Sequence, residues 1–96
     1  MDEITINSLK ELGFKEANLG SFRGRIDDVE VLVAPHPLKG AVAIISHTGP
    51  RSATQFEVTL GKNADLQTVA TILKHAYEQI HPEVVEKQRS LFPEDS

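Results

Sequence analysis

Four histidines, His36, His47, His75 and His81, are the first candidates in this chain for holding a metal ion or moving a proton near neutral pH. A zinc site needs three or four converging ligands, and the spacing does not bring the histidines together. His36 falls in the loop after a second strand, and His47 at the end of a third. In an antiparallel meander those positions sit at opposite ends of the sheet, about 20 Å or more apart at ~3.3 Å per residue. His75 and His81 do not stand three or four residues apart, so they do not share a helical face. The histidines therefore read as surface or loop residues. Asp27-Asp28-x-Glu30 is the densest carboxylate cluster. It lacks the spacing of a calcium loop and reads as a solvated hairpin turn. Ser46-His47 puts a hydroxyl beside an imidazole, but strand neighbours point to opposite faces. Gly49-Pro50-Arg51-Ser52 lacks the spacing of a phosphate loop and precedes a strand, so no helix N-terminus faces an anion there. With no cysteine in the chain, thiol nucleophiles and thiolate metal sites are absent. The residues point to no catalytic group, no metal and no cofactor. The cations Arg23, Arg25 and Arg51 remain as an anion-binding or partner-binding surface, with Glu30 placed to meet the first pair across a hairpin.

The elements that position these residues follow from periodicity. Thr5 is placed to cap a helix through Leu12, with Ile6, Leu9 and Leu12 on one face. Gly13-Phe14 marks its stop. Phe22, Gly24 and Ile26 alternate with Ser21, Arg23 and Arg25, which predicts a strand with one wet face. Val29 to Ala34 is a second strand, and Pro35 to Gly40 a loop, since proline cannot continue a ladder. Ala41 to His47 is apolar on both faces, as a central strand is. Thr54 to Leu60 alternates as a fourth. Asn63 or Asp65 caps the longest helix, with Leu66, Val69, Leu73, Ala76 and Ile80 in its apolar stripe, and His81-Pro82 ends it. The expected fold is α+β: a two-layer, four-stranded antiparallel meander with N- and C-terminal helices on one face, in the order α-β-β-β-β-α. Residues 1–81 form the domain and 82–96 a short helical or flexible tail.

Composition narrows the function classes. The 96 residues carry 10 Lys+Arg against 14 Asp+Glu, a formal charge of −4. One small acidic domain can bury roughly 60–65% of its unfolded surface. That supports a core but not a deep pocket as well, so any ligand site is shallow or lies between subunits. The acidic N-terminus has neither the basic nor the apolar region of a secretory signal. No apolar run approaches a membrane span, and the lack of cysteine fits a reducing cytoplasm. The helix-strands-helix order resembles the double-stranded RNA-binding domain, whose last helix begins with phosphate-holding lysines. Here that stretch is Asn63-Ala64-Asp65-Leu66-Gln67, which repels phosphate, so no direct nucleic-acid contact is expected.

In the tail, Gln88-Arg89-Ser90-Leu91-Phe92 resembles the peptide by which bacterial replication and repair proteins dock on the sliding clamp. That peptide reads roughly Gln-Leu-Ser/Asp-Leu-Phe, and Arg89 departs from it. The resemblance implies that Gln88 hydrogen-bonds at one subsite while Leu91 and Phe92 fill an apolar pocket. The sequence thus points to a small non-enzymatic protein-interaction module, an adaptor or inhibitor in the cytoplasm. Two alternatives stand beside it. One is an accessory protein docking on the clamp, which would make a replication or repair protein its partner. The other is a homo-oligomeric small-ligand-binding protein that buries its open sheet face or edge strand; were the chain instead a small-ligand or nucleotide-binding enzyme, its site would use His36, His47 or Arg51.

Overall fold

The computed structural model describes residues 1–82; the tail residues Gln88, Leu91 and Phe92 lie outside them. Helix α1 spans Glu3–Glu11. Five strands follow, β1 (Lys15–Glu16), β2 (Phe22–Ile26), β3 (Val29–His36), β4 (Gly40–Thr48) and β5 (Ala53–Thr59), and then helix α2 (Leu66–Ile80). The strands form one antiparallel sheet in the order β1-β2-β3-β4-β5. The α+β meander is as expected, with one strand more than the four expected. β1 has only two residues, both exposed, too few for a period-two pattern to show.

Two boundaries differ from the sequence reading. Asp2, not Thr5, caps α1, its carboxylate accepting from the Thr5 N–H at 2.9 Å. Thr5 is instead buried, and its hydroxyl accepts from the Ala64 N–H at 3.0 Å. Pro35 lies inside β3, paired with Ala41, rather than opening a loop. β2 begins opposite Val33, so past Val33 β3 has no neighbour on its other side. Proline is tolerated at such an edge because no ladder bond needs its missing N–H. The stop of α1 forms as its sequence indicates. Gly13 takes φ +91°, its N–H donates to Lys10 O, and the Phe14 N–H donates to Leu9 O, the paired bonds of a Schellman end.

Register decides which side chains enter the core. Val31 pairs with Ile45, and Ile45 with Phe56. This row faces the helices with Phe22, Val29, Val33 and Ala43. Leu9 of α1 and Val69, Leu73 and Ala76 of α2 close over it. Both helices therefore cover one face of the sheet, and the other face is left to solvent, as antiparallel sheets allow.

Candidate functional site

The uncovered face carries the alternate residues of every strand. Arg23 pairs with Leu32, Leu32 with Ile44, and Ile44 with Glu57, in one row across the sheet. Leu32, Ala34 and Ile44 are half-buried around a buried Val42, and together they form an apolar stripe down β3 and β4. A shallow cleft of about 300 Å³ crosses it between Arg23, Leu32, Ile44 and Gln55.

Charges flank the stripe. Arg25 and Glu30 are register partners and form an ion pair at 2.6 Å, both well exposed, which is the cross-strand contact their positions imply. Lys39 and Glu57 pair at 3.6 Å. Such exposed pairs contribute little to stability. Arg23 and Lys15, register partners on β2 and β1, make no ion pair among the described residues. They leave two free cations along one side of the stripe. Arg51 is exposed in the turn from β4 to β5. His36 and His47 do stand at opposite ends, His36 opposite Gly40 and His47 opposite Val29. The His36 ring closes its own loop, its Nδ1 accepting from the N–H groups of Leu38 and Lys39 at 3.1 and 3.0 Å. His75 is exposed on α2.

At the other end of the sheet the structure assembles a cluster that spacing does not reveal. Asp28 sits in the two-residue β2–β3 turn, where Asp27 adopts φ +54°, a conformation aspartate tolerates better than most residues. One Asp28 oxygen meets His47 Nε2 at 2.8 Å, and the other meets His81 Nε2 at 2.9 Å. The two rings pack edge to face, with centroids 5.0 Å apart. Tyr77 lies against His81 with centroids 4.9 Å apart and donates its hydroxyl to Asp27 at 3.0 Å. The imidazoles are about four-fifths buried while the Asp28 carboxylate is half exposed. The hydrogen bonds from His81 and then His47 hold the Asp28 carboxyl below its ordinary value.

The signal for this convergence was available in the element lengths. β5 runs back from the Asp28 end, and its seven residues cover about 23 Å. The fifteen residues of α2 then rise about 22 Å in return. That delivers His81 to the end where Asp28 turns and where His47 pairs beside it. Comparing histidines only with one another passes over the carboxylate that joins them. No protein-family model, curated protein or solved structure matches this chain, so the geometry alone carries the functional reading.

Proposed function

We propose that this chain is a small non-enzymatic protein-interaction module of the cytoplasm, an adaptor or inhibitor, whose working surface is the uncovered face of the sheet. The observation that supports this is the apolar stripe of Leu32, Ala34, Val42 and Ile44 beside the free cations Lys15 and Arg23. The surface suits a partner protein with an apolar ridge bordered by carboxylates. The ridge would displace water from the stripe, and the carboxylates would reach the two cations and fix orientation. The 31 residues of the five strands give a footprint of roughly 490 Å². That is smaller than the ~800 Å² each partner contributes to a standard stable complex, so binding through this face alone is transient. The cytoplasmic location rests on the cysteine-free composition.

A photo-reactive residue at Gln55, exposed on the face, tests the reading against one at Thr71 on the opposite side, exposed on α2. The expected result is a cross-linked protein partner from the first probe only, lost when Leu32→Asp, Ile44→Asp and Arg23→Glu are combined. The same cross-links from both probes, or capture unchanged by the substitutions, overturns it. A product of twice the chain's mass identifies the partner as a second copy, the homo-oligomer alternative. The tail supports a second reading through its likeness to the clamp-docking peptide. Purified bacterial sliding clamp is then expected to bind the full chain and to release the Leu91→Ala/Phe92→Ala variant. Equal binding of the two removes that reading.

A further inference from the structure

We propose that Asp28, His47 and His81 form a binding site for one divalent transition-metal ion of zinc's class. One ligand atom from each of the three lies within 4.8 Å of the other two. Zinc holds nitrogen and oxygen donors at about 2.0–2.2 Å, which places donors around one ion roughly 3.3 Å apart. The two contacts to Asp28, at 2.8 and 2.9 Å, are already inside that spacing. These contacts run to the two different oxygens of Asp28, and the three ligand atoms, within 4.8 Å of one another, close onto one ion by rotation of side chains that still reach solvent.

In the hydrogen-bonded arrangement both histidines direct Nε2 at the same carboxylate. An ion between them takes the place of the two bridging hydrogens, and each imidazole then carries its proton on Nδ1. Two imidazoles and one carboxylate form a donor set of borderline softness. It suits zinc, nickel or cobalt better than magnesium or calcium, which favour all-oxygen shells. Half-exposed Asp28 gives the ion a way in and leaves the remaining coordination positions to water. Arg25, which lines one cleft with Asp28, is already paired with Glu30. The three ligands come from the β2–β3 turn, the end of β4 and the end of α2. Binding therefore ties together three elements that are distant in sequence, and binding to the folded chain alone stabilises it.

The test uses the full chain, stripped with chelator and titrated with zinc by calorimetry and with cobalt by visible absorption. The expected result is one ion per chain, cobalt d–d bands, and a thermal midpoint that rises with zinc and falls back with chelator. His47→Ala and His81→Gln are each expected to weaken zinc by at least about tenfold, the scale at which even outer-shell changes act. His36→Ala and His75→Ala are expected to leave it unchanged. Circular dichroism of each variant separates a lost ligand from a lost fold, and Asp28→Asn, which keeps the side chain's size, gives an independent reading. Absence of saturable binding, or binding that survives both histidine substitutions, overturns the site and leaves a hydrogen-bonded clasp.

Discussion

Gly24 shows at the scale of one residue how a space requirement hides in a strand. It sits on the core face of β2 between Phe22 and Ile26, and a Cβ there would stand 2.8 Å from three carbons of the Phe14 ring. Phe14 is itself buried. Gly24→Ala must therefore push a packed ring, and overpacking of this kind costs about 1–3 kcal/mol. The expected observation is a lower urea midpoint with an unchanged slope. Adding Phe14→Leu should restore part of the loss, and full stability of Gly24→Ala alone would falsify the account. Thr5 carries the opposite kind of constraint. Its buried hydroxyl satisfies the Ala64 N–H, while the neighbouring Ser8 donates to Ala64 O at 3.2 Å. Thr5→Val keeps the shape and strands a buried donor, a loss of about 1–3 kcal/mol. Thr5→Ser keeps the hydroxyl and is expected to unfold at a urea concentration closer to that of the original chain.

The helices, as elements, carry part of the pH dependence, beside the depressed Asp28 of the β2–β3 turn. The Asp2 and Asp65 carboxylates accept from the backbone N–H groups of Thr5 and Thr68, and these bonds hold both below the ordinary 3.8. A carboxyl depressed in the folded chain stabilises it fully above its unfolded value. That stabilisation is lost as pH falls through the lower, folded value. Urea midpoints should therefore drop as pH falls below about 4. The combined Asp2→Asn/Asp65→Asn variant keeps cap acceptors that do not titrate, so its midpoint should drop less; an equal drop would show that the caps are not responsible. The cap of α2 was narrowed to Asn63 or Asp65, of which Asp65 serves, and the apolar stripe of α2 and the Gly13 stop were legible because each is a local pattern within a few residues. β1 was not, being too short for a period, and neither was the start of α1. Thr5 resembles a cap in sequence because hydroxyls serve both as caps and as buried partners, and only the tertiary position of Ala64 separates the two uses. The Arg25–Glu30 pair was legible because a two-residue turn fixes its register. The Asp28 cluster was legible only through the lengths of β5 and α2, because its members come from a turn, a strand end and a helix end.

At the scale of the molecule, α2 is fastened at two ends by different means. Its start is held by α1, through Thr5 and Ser8 against Ala64. Its finish is held by the turn at the far end of the sheet, through Asp28 to His81 and Tyr77 to Asp27. Apolar contact along Val69, Leu73 and Ala76 joins the two. Local opening follows the weakest attachment, so the two ends should respond separately. In metal-free solution, Asp28→Ala removes the acceptor shared by His47 and His81 while leaving the first half of α2 untouched. Hydrogen exchange is then expected to quicken several-fold at the amides of the last turn, from Tyr77 to His81, whose final bond is His81 N–H to Tyr77 O at 2.9 Å. The amide of Val69, bonded to Asp65 O at 3.0 Å, should exchange at its original rate. Uniform quickening along the helix would mean that α2 opens as one unit and that the far-end contacts do not hold it separately. Thr5→Val should give the mirror result, loosening the start and sparing the last turn, because the apolar stripe between them isolates one end from the other.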